Sequence, residues 1–237
     1  MPDSPTNPSP FTPESLAAAK ALIGVPLRRD QHNSLVSVPA VKRWARSIGD
    51  RNPLWLDSDY AATSGHGRVM APSCWLYSVD NTCLYPNFPD CHVIYGGCDW
   101  EFYGWLGVGD GVAAQSKLIG VEEKTGRFCG PMVLQTGETL FTRPGGEPVA
   151  KAVSYVLRTP RPAAVEMGKY RDWTKHILTP EEAVTTEDGY DNEEIRGGQP
   201  RFWEDVVQDE ILTPIVRGPL TSEEVIQFLG ATSPSRG

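Results

Sequence analysis

A carboxylate, a carboxamide and an indole stand within one short run, Ile48-Gly49-Asp50-Arg51-Asn52-Pro53-Leu54-Trp55. Asp and Asn so close together commonly cap a loop through their own side chains, so a structural role for Asp50 and Asn52 stands beside any chemical one. Trp55 offers one N–H donor, no acceptor and no proton exchange near neutral pH, and so cannot be a general acid or base. His66 lies between Gly65 and Gly67, whose backbone freedom could carry an imidazole toward a site; an ordinary loop residue is the plainer reading. Cys74, beside an expected helix start, could have a lowered thiol pKa, but with no His at a telling position it reads as a core thiol. Cys74, Cys83, Cys91, Cys98 and Cys129 are odd in number and form no C-x-x-C pair, which points to reduced thiols in a cytoplasmic setting. His92 beside Cys91 lacks ligand spacing, so no metal is expected. The glycines between Gly104 and Gly109 lack the strand–turn–helix context of a dinucleotide site, and no cofactor is expected.

The elements that must carry these residues are legible from caps and periodicity. Thr12-Pro13-Glu14 opens a short helix, with a capping Thr, an early Pro and an acid near the positive end of the dipole; Gly24 closes it. A second helix is expected over residues 37–48, with Val41, Trp44, Ala45 and Ile48 on one face and Lys42, Arg43 and Arg46 on the other. The motif loop follows, and then a short polar helix over 57–63. Residues 72–82 read as a nearly buried helix, because Trp75, Leu76, Tyr77 and Val79 cover most of its circumference. Strands are expected over 92–96, 99–103, 112–123, 132–142 and 148–159, with turns at Lys124-Thr125-Gly126-Arg127 and Arg143-Pro144-Gly145-Gly146. An antiparallel sheet with one apolar face must bury it, and the 72–82 helix is the available filling. This is an α+β chain of the hotdog architecture, a sheet wrapped around a central helix.

The chain has 237 residues, 40% of them hydrophobic, enough for one sizeable core. The N-terminus has neither the basic nor the apolar stretch of a secretory signal, and no apolar run suggests a membrane helix. The net charge of −8 argues against a nucleic-acid partner. Residues 181–210 hold eleven acidic residues against two basic ones, a local −9 that leaves about +1 elsewhere. The body therefore carries no electrostatic objection to an anionic substrate. Thr179-Pro180-Glu181-Glu182 reads as a capped turn, and Thr221 with Glu224 as the capping box of a last helix. That helix echoes the second one at an offset of 184 residues: Ser37 falls on Thr221, Val41 on Val225, Trp44 on Phe228 and Ala45 on Leu229. The expected organisation is a disordered start (1–11), a hotdog domain (12–162), and an acidic linker with the unfinished start of a second hotdog-like unit (163–237).

The motif loop resembles the signature of the MaoC-like acyl-thioester hydratases and dehydratases, GD-x-NP-x-H after an amphipathic helix. Gly49, Asp50, Asn52 and Pro53 match in place and spacing, and Trp55 stands where the family has His. Ser64-Gly65-His66-Gly67-Arg68-Val69-Met70-Ala71-Pro72 is similar to the family's lead into the hotdog helix. Gly97-Cys98-Asp99-Trp100-Glu101-Phe102 and Val108-Gly109-Asp110 are similar to its strand and turn. The likeness is strongest to the N-terminal dehydratase subgroup of tandem proteins, and Pro200 to Ala231 resembles the opening of that subgroup's second domain.

The resemblance implies a hydro-lyase acting on an acyl thioester of coenzyme A or an acyl carrier protein, with Asp50 as base and Asn52 orienting. Loss of the motif His typically costs about 10²–10⁴-fold in rate. Three readings follow. Asp50 works with another acid, His66 being the best substitute; or the chain is a degenerate half whose partner carries the complete pair, Trp55 filling space beside an acyl tail; or the pocket runs an isomerisation or ring closure on a related thioester. Free N–H groups of Ser73 and Cys74 could hold the thioester carbonyl as charge develops on its oxygen. Hotdog thioesterases suggest a further carboxylate at Asp80, which reads more simply as a solvated acid at a helix end. The expected assembly is a homodimer or a heteromer with a second MaoC-like subunit, since the family's sites lie between two folds.

Overall fold

The computed structural model describes residues 9–126, 130–161, 174, 176–218 and 220–232. Helix α1 (Pro13–Lys20) starts on a reciprocal capping box between Thr12 and Ser15. Phe11, expected to be disordered, packs edge-on against Phe88 with ring centroids 5.3 Å apart; residues 1–8 of that expected segment lie outside the described residues. The short strand β1 (Pro26–Leu27) precedes α2 (Val38–Ser47), whose N-cap is Ser37 and whose Val41, Trp44 and Ala45 are buried as the periodicity predicts. Helices α3 (Pro53–Leu56) and α4 (Ser58–Thr63) follow within one turn of each other.

Four long strands, β2 (Cys91–Phe102), β3 (Ala113–Gly126), β4 (Gly130–Thr142) and β5 (Pro148–Pro160), join β1 in one antiparallel sheet of order β1-β3-β4-β5-β2. The sheet is the expected antiparallel one, with two differences: the short edge strand β1 is not among the expected strands, and two expected strands are merged. The two strands expected at 92–96 and 99–103 are a single strand, because the Gly96-Gly97 interruption is absorbed as a bulge between Tyr95 and Gly97. Residues of β4 alternate inward and outward along its whole length, with Val133, Gln135, Thr139 and Phe141 buried.

The expected α-helix over 72–82 is corrected: a 3₁₀ segment, Ser73–Ser78, takes its place. Aromatic and short polar side chains dominate the run, and all of these types are weak helix formers. Beyond Ser78 the chain must also deliver Asp80 and Thr82 to polar partners. Asp80 is 3% exposed, not solvated. It accepts from Arg29 Nε at 2.9 Å and from the Thr82 N–H at 2.7 Å. Its neighbour Ser116 shares a 2.9 Å hydroxyl contact with Thr139, while Ser154 donates to the Thr82 carbonyl at 2.5 Å. This seam lies across the inner face of the sheet. On one side is an apolar cluster that includes Trp44, Trp75 and Phe141; on the other is one that includes Leu84, Phe88 and Leu118. Leu84 reaches the sheet only because residue 137 is glycine: a Cβ there would sit 2.3 Å from Leu84 Cδ1.

The capped turn at Thr179 continues into helix α5 (Pro180–Asp191). A 3₁₀ turn (Trp203–Asp205) and α6 (Ser222–Ala231), capped by Thr221 and Glu224 as expected, complete it. Helix α6 packs on α2, and the echo positions Trp44 and Phe228 meet with ring centroids 5.8 Å apart.

Candidate active site

Every residue of the motif has a backbone task. Gly49 ends α2 at φ +68, with its N–H donated to the Arg46 carbonyl (3.2 Å) and the Asp50 N–H to the Ala45 carbonyl (2.8 Å). These paired bonds are a Schellman closure, and they require the left-handed residue that glycine supplies. Asp50 Oδ1 then accepts from the Asn52 N–H at 2.9 Å, a side-chain-closed turn. Asn52 caps α3 by accepting from the Leu54 N–H at 2.9 Å, and Pro53 takes the first helical position. Helix α3 thereby turns Trp55 back over the loop. Its indole N–H donates to Asp50 Oδ2 at 2.8 Å.

This last bond could not be read from residue spacing. Asp50 Oδ2 takes no part in closing the backbone, and an indole occupies it. Neither neighbour on the carboxylate, the Asn52 N–H or the Trp55 N–H, exchanges protons near neutral pH. His66 lies on the exposed loop after α4, its ring 6.3 Å from that of Trp105, and among the described residues no hydrogen bond joins it to Asp50 or Asn52.

Cys74 lies within electrostatic reach of the motif. Its thiol is pushed up, chiefly by burial and further by the charge of Asp50, despite accepting the Trp44 indole N–H at 3.3 Å. A half-buried thiol whose pKa is raised is a weaker nucleophile at neutral pH than a free one. The N–H groups of Ser73 and Cys74 open the 3₁₀ segment and have no partner among the described residues. The space beside them, bounded by Trp75 and Phe102, amounts to about 10 Å³, room for no more than one water.

The C-terminal segment covers the motif from outside, through residues that sequence reasoning missed. Glu193 accepts from Arg217 Nη2 at 2.9 Å and Nη1 at 3.1 Å, and from Arg51 of the motif at 3.4 Å. Arg217 also donates through Nε to the Ile48 carbonyl at 3.3 Å, and Arg51 to the Tyr190 carbonyl. The Arg217 guanidinium holds the Glu193 carboxyl below its usual range, and Glu193 in turn raises Arg217. No sequence signal pointed to them, since Arg51 fills the unspecified position of the signature and Glu193 and Arg217 lie far from it in the chain. Among the described residues no group of His, Cys, Asp and Glu converges as a metal site, and no helix is long and apolar enough to cross a membrane.

A family model described as the FAS1-like dehydratase domain region matches residues 21–152, more than half of the chain. The chain belongs to this MaoC-like dehydratase family. The match takes in the motif loop, the 3₁₀ segment, β1 to β4 and the start of β5. A curated relative, the probable enoyl-CoA hydratase alpha subunit of Thermomonospora curvata, is 26% identical, the match covering 46% of this chain and 43% of the relative. This chain thus spans less than half the length of that relative. Among solved structures, a MaoC-like dehydratase matches with TM-score 0.62 and 19% identity over 90% of this chain and 66% of its own, which establishes the hotdog fold. The ChsH1-ChsH2 complex from Mycobacterium tuberculosis matches with TM-score 0.49 and 21% identity over 62% of this chain and 95% of the matched one.

Proposed function

We propose that this chain is a subunit of a MaoC-type acyl-thioester hydratase/dehydratase, acting on a substrate carried by coenzyme A or an acyl carrier protein, and that its own motif loop shapes the site while a second MaoC-like subunit supplies the complete Asp–His pair. The observation that carries the reading is the 2.8 Å bond from the Trp55 indole to Asp50 Oδ2. Hydration of a 2-enoyl thioester needs one group to take a proton from water as its oxygen bonds to the third acyl carbon, and a group to deliver a proton to the second. An indole N–H delivers none, and His66 is not held against the carboxylate. Two further features support a partner. The matched relative is named as an alpha subunit, and β2 is a long edge strand with exposed Val93, Ile94 and Tyr95. The cytoplasmic setting read from the cysteines belongs to the same proposal.

A second reading rests on a different observation. Asp50 is only half-buried, and a carboxylate has about four acceptor positions, so Oδ2 retains capacity beyond the indole. Asp50 would then be the base, Trp55 and Asn52 its positioning groups and His66 the acid. Loss of enoyl-thioester absorbance, followed for the chain alone and with a small hotdog protein bearing the intact signature, separates the two. Turnover only in the mixture is the expected result. Turnover by the chain alone that Asp50→Asn abolishes, with an unchanged thermal midpoint, would establish the second reading, and a matching loss in His66→Gln would add its acid.

A further inference from the structure

Glu193 stands just beyond α5 with its side chain 8% exposed, and two guanidinium groups converge on it. Arg217 meets it twice, at 2.9 and 3.1 Å, and Arg51 once, at 3.4 Å. Other donors of the two arginines go to backbone carbonyls: Arg217 to Ile48 at 3.3 Å and to Val216 at 2.6 Å, and Arg51 to Tyr190. The base of this loop is pinned separately. Tyr190 donates its hydroxyl to the Gly218 carbonyl at 2.9 Å, and residue 189 is a glycine, where a Cβ would stand 2.5 Å from Val216 Cγ2. Glu193 is therefore not needed to close the segment on itself. What it does is neutralise guanidinium charge beside the motif, and two cations share its one carboxylate. The charge of Asp50 also reaches Arg217 and adds to the effect of Glu193 in raising the guanidinium above its usual value.

We propose that Glu193 is a positioning residue for the motif: by holding Arg217 on the Ile48 carbonyl it keeps that guanidinium off the Asp50 carboxylate, and so preserves the bond between Asp50 and Trp55. The inference rests on the reading of this loop as part of a thioester site, and it extends that reading to a residue outside the matched region, 21–152. The physical argument is competition. A guanidinium offers a carboxylate two N–H bonds and a full opposite charge, where the indole offers one bond and no charge. Arg217 lies against Gly49, where a Cβ would be 2.9 Å from its Nε, and Gly49 adjoins Asp50 in the chain. The Arg217 side chain is 35% exposed, so its fork is free to turn once its acid is neutral. An Asp50 paired with Arg217 would lose the indole and, held as the anion, would be a poorer proton acceptor.

The test uses the full chain labelled with 5-fluorotryptophan, the Trp55 fluorine resonance being identified by its loss in Trp55→Phe. Glu193→Gln keeps the size of the side chain and removes its charge. It should move the Trp55 resonance. Glu193→Gln combined with Arg217→Met, which removes the released cation, should return the resonance to the parent position. The thermal midpoint should fall in both variants, because both lose the ion pair, so recovery of the resonance reports charge competition and not lost support. An unmoved resonance in Glu193→Gln overturns the proposal, and so does a shift that persists undiminished in the double variant. Enoyl-thioester turnover is read beside it, for the chain alone and with the signature-bearing hotdog protein. It should drop about tenfold or more in Glu193→Gln and recover in the double variant. Turnover equal in parent and Glu193→Gln overturns the proposal and leaves the thioester reading standing. No turnover by the parent, alone or in the mixture, removes the thioester reading, and the fluorine resonances still decide whether Glu193 holds Arg217 off Asp50.

Discussion

At the scale of single residues, the decisive position is Trp55. An imidazole there would offer a second nitrogen for proton exchange, whereas an indole offers one fixed donor, and Asp50 Oδ2 accepts it. Trp55→Phe keeps most of the apolar bulk and removes only the donor. It should lower the unfolding free energy by about 1 kcal/mol, the net worth of one hydrogen bond, read from the urea midpoint. Trp55→His should bring hydration activity to the chain alone, if the silent indole is what limits it; a His variant as inactive as its parent would place the missing group elsewhere. The sequence made Asp50, Asn52 and the absence of an acid at residue 55 legible, since side-chain chemistry is a property of residue type. That Trp55 turns back onto Asp50 was not legible, because it depends on the short helix that Asn52 and Pro53 start.

At the scale of elements, the corner between α2 and α3 holds that geometry. Gly49→Ala would force a Cβ into a left-handed residue, costing roughly 1–2 kcal/mol, and would bring it within 2.9 Å of Arg217 Nε. The thermal midpoint should fall by more than in Arg46→Ala, and the Arg51–Glu193–Arg217 contacts should loosen with it. A second corner is pinned by Asp110, which accepts from the Gly107 N–H at 3.0 Å, Arg143 at 2.9 Å and Arg68 at 3.0 Å. Burial opposes its charge, but those three donors together hold its carboxyl below the ordinary value of 3.8. Its stabilisation is therefore complete above the unfolded-state value and is lost as pH falls through the lower folded-state one. Asp110→Asn should lower stability at neutral pH and flatten that acid limb in urea titrations at stepped pH. Caps and alternation made α1, α2, α6 and the three longest strands legible. The 72–82 segment was not, because its apolar pattern fits a helix while its tertiary partners, Arg29 and Ser116 for Asp80 and Ser154 for Thr82, draw the chain out of one.

At the scale of the whole molecule, the sheet has unequal edges. On one side β1 covers only two residues of β3, and on the other β2 runs for twelve residues with β5 as its sole strand partner. A long edge with unpaired N–H and C=O groups invites another strand unless charge or proline blunts it. Here Val93, Ile94, Tyr95 and Phe102 are each at least 40% exposed, and the acids Asp99 and Glu101 are already engaged by Tyr155 and by Lys151. The core gives the same indication, since the polar seam from Arg29 through Asp80 to Thr139 takes up inner face that an apolar helix would fill. The chain should therefore sediment at micromolar concentration as a dimer or in complex with a second hotdog subunit. The double variant Val93→Lys, Ile94→Lys puts two charges on the exposed edge without touching a buried side chain, so it should sediment as a monomer with its far-ultraviolet circular dichroism unchanged. A parent chain that is already a stable monomer, both alone and beside a signature-bearing hotdog protein, would show that β2 is not an assembly edge and would remove the structural support for a shared site.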